Sequence, residues 1–226
     1  MMNRTTTLFM TLFLLMTHHL ARAEERPVEG SLQKIVSEIH TAYKKIDDFE
    51  SNFVQTVEIL DFNIPYVSKG KLFIKKGKMR WDYVEPSKQQ IFVDGVGFLY
   101  YVPDHKQVIR SKVGGHSDSH LPLKLLAGRG NLNQDFEITY EIEAPRPGEP
   151  IQLRLIPKKK MGLIKIVITA VHTPDIDGLI IDQVVLHEEN GNISTSTFDA
   201  ITINQGLDDQ LFVFDIPEGT EVLQAP

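Results

Sequence analysis

From Phe49 onward the chain alternates apolar and polar residues in short runs, each broken by glycine, proline, asparagine or aspartate. In the first run Phe49, Ser51, Phe53, Gln55, Val57 and Ile59 interleave with Glu50, Asn52, Val54, Thr56 and Glu58. A period of two sends the two sets to opposite faces of a strand. Further runs of this kind start near Gly70, Met79, Gln89, Phe98, Gln107, Phe136, Ile151, Ile164, Leu179 and Asn192. The count is about eleven strands with even turn punctuation, which predicts an antiparallel barrel or a strongly curved sheet. Closure, bulging or curvature is needed because a flat sheet this wide would expose long edges.

Two segments depart from the alternation. Leu32, Ile35, Val36, Ile39, Tyr43 and Ile46 recur at steps of three and four, with Ser31 as a candidate cap, so an amphipathic helix precedes the strands. Its single apolar stripe has to lie on something apolar. Between Lys112 and Asp135 a polar loop containing Gly114-Gly115 leads into Pro122-Leu123-Lys124-Leu125-Leu126-Ala127 and then Gly128-Arg129-Gly130. That pattern predicts a short helical lid with hinges on both sides.

The N-terminus gives a compartment. Arg4, the apolar run Leu8 to Met16 and Ala21-Arg22-Ala23 have the order of a cleavable secretory signal, and the apolar run is too short to span a bilayer. We therefore expect residues 1–23 to be removed and 24–226 to form a single exported domain. Arg4 and Arg22 leave with the signal and no acid does, so the net charge moves from -6 to -8. Such a balance argues against nucleic acid and against non-specific adhesion to anionic surfaces. Lys158-Lys159-Lys160 is a local exception, beside Pro157 and Gly162, and reads as a solvated hairpin tip. With no cysteine, the chain has no disulfide, no thiolate chemistry and no site for lipid attachment at an N-terminal cysteine.

No catalytic constellation stands out. His116 and His120 are four apart, a spacing that zinc sites on helices use, but Gly114-Gly115 and the intervening serines favour a loop, and no metal or other cofactor is expected. Ser31 to Lys34 and Ser68 to Lys71 match S-x-x-K without its companion motifs, and no G-x-S-x-G elbow is present. The acid pairs Asp47-Asp48, Glu188-Glu189 and Asp208-Asp209 stand beside turns, where solvated surface is the default. A non-enzymatic binding role is the expectation.

One stretch is more specific. Gly70-Lys71-Leu72-Phe73-Ile74-Lys75-Lys76 is followed by Arg80-Trp81-Asp82-Tyr83-Val84-Glu85-Pro86, then by a strand closing at Asp94-Gly95. The chain ends on Phe212-Val213-Phe214-Asp215-Ile216-Pro217-Glu218-Gly219-Thr220-Glu221-Val222, a strand and turn. Together these resemble the signature of the periplasmic outer-membrane lipoprotein carrier family (LolA). The resemblance implies a mainly β fold, an incomplete antiparallel β-barrel covered by the N-terminal amphipathic helix and the short helical lid. It also implies a monomeric chaperone that holds lipoprotein acyl chains and carries them from the inner to the outer membrane. Its partners would be acylated lipoproteins, an inner-membrane ATP-binding-cassette exporter and an outer-membrane acceptor. A paralogous carrier of another lipid or glycolipid, or a lipid-sensing regulator on the same scaffold, remains open.

A barrel that holds an apolar ligand must leave some inward positions to line a space. The expected lining is Phe53, Leu72, Ile74, Met79, Trp81, Tyr83 and Phe92, with Leu123, Leu125 and Leu126 contributed by the lid. Members of the family carry Arg-Pro ahead of the R-W strand, the arginine bonding to the lid; here Lys75-Lys76-Gly77 stands in its place. Lys76 is the expected latch, with a point charge where the family has a planar fork. Arg80 beside Trp81 is either a cation over a ring or an outward strand residue.

Overall fold

The computed structural model describes residues 29–94, 97–112, 132–143, 146 and 148–224. Helix α1 spans Glu29–Lys44 and is followed by β1 (Asp48–Glu58), β2 (Tyr66–Lys75), β3 (Lys78–Glu85), β4 (Gln89–Val93), β5 (Gly97–Val102) and β6 (Gln107–Lys112). A one-turn helix α2 (Leu132–Asp135) leads into β7 (Phe136–Tyr140), β8 (Ile151–Pro157), β9 (Leu163–Thr173), β10 (Gly178–Glu188), β11 (Ile193–Ile203) and β12 (Glu221–Gln224). Among the described residues, the twelve strands form one open sheet in the order β12-β6-β5-β4-β3-β2-β1-β11-β10-β9-β8-β7. Its edges, β12 and β7, are short, which limits edge-to-edge pairing with other chains.

All eleven expected strands are present, most within two residues of their expected ends. The twelfth differs from expectation. The closing stretch makes its turn first, with Thr220 N–H donating to Pro217 O at 3.2 Å, and its strand afterwards, parallel to β6. The segment from Leu207 to Phe214 instead crosses the outer face of the sheet. Asp48, buried, receives the backbone N–H groups of Gln205 and Gly206 at 2.8 and 2.9 Å and starts this crossing. Arg80 Nη1 donates to Leu211 O at 3.1 Å, and Phe214 ends it against Phe92 and Tyr101, each ring 5.0 Å away.

Local chemistry explains the joints. Lys76 and Gly77 form the β2–β3 turn with φ of 48° and 78°, the left-handed pair that a tight two-residue hairpin needs. Helix α1 begins at Glu29, so Ser31 lies in its first turn and not at its cap. It lies on β10 with Val36, Ile39, Ala42 and Tyr43 buried in the core. The approach is close: a Cβ on Gly178 would lie 2.9 Å from the Cβ of Ala42. Between Ile181 and Gln183 the β9–β10 register slips, and the N–H of Ile181 donates to the Tyr43 hydroxyl at 3.1 Å. The helix thus fills a hydrogen-bonding gap that the bulge opens.

Candidate functional site

Strand register decides which side chains share the inner face. Across β1, β2, β3 and β4, one row is Phe49, Ile74, Met79 and Val93, and the next is Ser51, Leu72, Trp81 and Ile91. A third row is Phe53, Gly70, Tyr83 and Gln89. Phe53, Leu72, Ile74, Met79 and Trp81 are buried, with Tyr83 half-buried against them. The structure therefore brings six of the expected lining residues onto one continuous wall.

Gly70 makes the centre of this wall possible. A Cβ there would sit 1.8 Å from Asp82 O and 2.8 Å from the Phe53 ring, so only glycine lets the β3 backbone approach this closely with that ring beside it. Phe53 meets Trp81 and Tyr83 edge-on at 5.1 and 5.0 Å, while Trp81 and Tyr83 lie nearly parallel at 6.2 Å. On the β11 side Phe198 meets Trp81 at 6.2 Å. Edge and offset contacts of this kind join the rings without requiring full stacking overlap.

Phe92 does not belong to the wall. It pairs with Arg80, which points away from Met79 and Trp81, and lies on the outer face under Phe214. The run Gln89-Gln90-Ile91-Phe92-Val93 is apolar at both parities, so alternation could not assign its faces. The Arg80 guanidinium likewise lies over Phe92 at 5.3 Å and Phe73 at 5.9 Å, and not over Trp81. Leu123, Leu125, Leu126, His116 and His120 lie outside the described residues.

The wall also has polar members that alternation alone did not single out. Tyr83 O–H donates to Gln55 Oε1 at 3.0 Å, and Gln55 Nε2 donates to Ser194 Oγ at 3.2 Å. Ser68, Ser194 and Ser196 are buried beside them, and Tyr100 O–H donates to Gln89 Oε1 at 2.9 Å. The Ser194-Thr195-Ser196-Thr197 run carries no apolar contrast, which is why its inward members were not legible. Burial pushes the Tyr83 phenol well above the ordinary tyrosine range, neighbouring Tyr100 adds to this, and the bond to Gln55 opposes it. Two buried atoms in the same wall, Ser51 Oγ and Trp81 Nε1, have no hydrogen-bond partner among the described residues. The wall is thus apolar toward the β2–β3 turn and hydroxyl- and amide-lined toward the other end.

At the expected latch, Lys76 is exposed in the turn, its backbone N–H donating to Asp47 O at 3.2 Å. Its neighbour Lys75 grips the outer crossing, with its amine on Leu207 O and 3.5 Å from Asp209. The residues that a latch from Lys76 would engage, 122–127, lie outside the described set. The S-x-x-K pair cannot act together: Ser68 is buried on the inner face, and Lys71, on the outer face, bonds Glu50 at 2.8 Å. Among the described residues no cluster of three metal-ligating side chains occurs, and no helix is long and apolar enough to cross a membrane.

The comparisons with known proteins agree with this architecture. The family model of the outer membrane lipoprotein carrier protein LolA matches residues 44–215. An outer-membrane lipoprotein carrier protein of Nitrosomonas europaea is 30% identical over 201 residues, covering 88% of this chain and 91% of that protein. One from Nitrosospira multiformis is 27% identical over 195 residues, covering 86% and 87%. In structure, an uncharacterized conserved protein from Thermus thermophilus superposes with a TM-score of 0.52 at 10% identity, covering 86% of this chain and 99% of that one. At that identity the likeness is one of fold.

Proposed function

We propose that this chain, which belongs to the outer membrane lipoprotein carrier family LolA, is a periplasmic, non-enzymatic chaperone that holds lipoprotein acyl chains against the wall of Phe53, Leu72, Ile74, Met79, Trp81 and Tyr83. It would carry them from an inner-membrane ATP-binding-cassette exporter to an outer-membrane acceptor. The observation that carries this reading is the register itself: consecutive inward rows on β1 to β4 bring Phe49, Phe53, Leu72, Ile74, Met79, Trp81, Ile91 and Val93 onto one predominantly apolar face of a sheet that does not close. Acyl chains need such a surface, since each methylene withdrawn from water is worth about 0.8 kcal/mol and a free chain would not cross an aqueous space.

Release is supported by the same features. The wall side chains are buried in one core with residues of α1 and of β8 to β11, so cargo would have to part that packing to reach them, and a lid drawn from residues 122–127 and held through Lys76 would compete with cargo for the same wall. Part of the binding energy then goes into moving the lid, which keeps affinity low enough for handoff. The polar band of Gln55, Ser68, Ser194 and Ser196 suits the ester and amide groups that join acyl chains to the lipoprotein's first residue.

The single tryptophan, Trp81, sits in the wall and reports on it directly. Titration with a triacylated lipopeptide is expected to change its emission and saturate at one ligand per chain, while the same peptide without acyl chains leaves it unchanged. Equal responses to both peptides, or to neither, would remove the carrier reading.

A further inference from the structure

We propose that the end of the sheet bearing the β1–β2 loop docks on an anionic lipid bilayer, the loop entering the interface and the β8–β9 turn meeting the headgroups. The loop between β1 and β2 and the first residues of β2 expose Ile59, Leu60, Phe62, Ile64, Tyr66 and Val67. Phe62 and Ile64 are 72% and 84% exposed at the tip. Such a concentration is unlike isolated surface apolar residues such as Ile142 and Ile164, and contiguous patches of this type mark interaction sites.

The loop is held in place by its neighbours. Phe62 N–H donates to Ile59 O at 3.0 Å, and Leu60 N–H donates to Asn192 Oδ1 at 3.1 Å. Leu60 packs on Gly191, where an added Cβ would lie 2.8 Å from Leu60 Cδ2. The β10–β11 turn is in turn joined to the β8–β9 turn, with Glu189 N–H on Gly162 O at 2.9 Å and Lys160 3.6 Å from Glu189. Three turns therefore stand side by side, and the last presents Lys158, Lys159 and Lys160, all exposed. Lys158 is bonded to the Asn133 carbonyl at 2.6 Å, which leaves its positive charge uncompensated by that contact.

Aromatic and aliphatic side chains at a projecting tip, beside a short lysine run, are the composition of an interfacial anchor. Glu58 stands at the base of the loop, Asp61 within it and Glu188 and Glu189 at the adjoining turn, where Glu189 pairs with Lys160, so charge alone would not hold this end on an anionic surface. Apolar insertion supplies the larger part, and the lysines orient it. A bilayer suits a projecting apolar point because lipid yields around it. The inward pair Val57 and Tyr66 also leads from this loop to the wall, so lipid leaving the wall would meet the bilayer at this end. This last consequence rests on the carrier reading; the docking itself does not.

The test is vesicle flotation of the chain from Glu24 to Pro226, which omits the apolar run at residues 8–16. Vesicles of phosphatidylethanolamine with phosphatidylglycerol are compared with phosphatidylcholine alone. The chain is expected to float with the anionic vesicles, and Phe62→Ser with Ile64→Ser to lower its partition about ten-fold. Replacing Lys158, Lys159 and Lys160 by Gln should lower it about three-fold on anionic vesicles and leave phosphatidylcholine binding unchanged. No flotation of the parent chain, or full flotation of the Phe62 and Ile64 variant, overturns the proposal. The same loop variant should still bind triacylated lipopeptide in free solution. Flotation without any lipopeptide binding by the parent chain would instead remove the carrier reading and leave membrane docking standing.

Discussion

At the scale of single residues, the chain is held by a few polar contacts placed where the sheet is irregular. Tyr43 is the clearest, because its hydroxyl is the acceptor for an amide that the β10 bulge deprives of a ladder partner. Tyr43→Phe should leave that buried N–H unsatisfied and lower stability by about 1–3 kcal/mol, measured by urea unfolding. Glu141 is different in kind. Burial pushes its carboxyl up, but hydrogen bonds and charge from Arg154 and Lys165 outweigh this and hold it below its ordinary value of 4.5. A carboxylate lowered in the folded chain stabilises fully above its unfolded value and loses that contribution as pH falls through its lowered folded value. Glu141→Gln should therefore cost about 1 kcal/mol near neutrality, and the gap between variant and parent should close as the pH falls below 4.5 and through that lowered value.

At the scale of elements, the inner and outer faces of β1 to β6 are covered by different means. The inner face of β1 to β4 belongs to the core, while the outer face is crossed by residues 207–214, which seal Phe92 and Tyr101 with Phe214 and pin Arg80 to Leu211. Phe214→Ala should free this crossing. Hydrogen exchange should then speed up in β4, β5, β6 and β12 and stay unchanged in β8, β9 and β10, because the latter touch none of it. The eleven strands of the alternating region were legible because each run alternates over several residues between strong turn signals. The assignment of β4 to one face was not, since Ile91, Phe92 and Val93 are all apolar and only pairing with β3 separates them. The last strand was displaced for a related reason: Phe212-Val213-Phe214 has strand composition, yet Pro217 and the β6 edge place the ladder beyond it, at Glu221–Gln224.

At the scale of the whole molecule, an open sheet whose inner wall on β1 to β6 carries no charged side chain among the described residues makes a definite demand on ligand binding. The titratable wall members, Tyr83 and Tyr100, are both pushed upward by burial and remain neutral hydroxyls under ordinary conditions. Lipopeptide affinity should therefore stay flat from about pH 5 to 8, the range where exposed histidines change charge, and be insensitive to salt. Vesicle docking through Lys158 to Lys160 should weaken with salt, so one titration series separates the two ends of the molecule. The sequence by itself determined the mainly β architecture, the amphipathic helix, the family, and, through strong alternation on β1 to β3, six residues that share the inner face, five buried and Tyr83 half-buried against them. It did so because period and turn chemistry are local properties, written within a few residues of one another. Only the tertiary structure decided that Phe92 faces outward, that a side chain at Gly70 would strike Asp82 O and the Phe53 ring, and that the Leu60, Gly191 and Lys160 turns stand side by side. Those facts depend on register between strands distant in the chain, and register is set by the whole sheet at once.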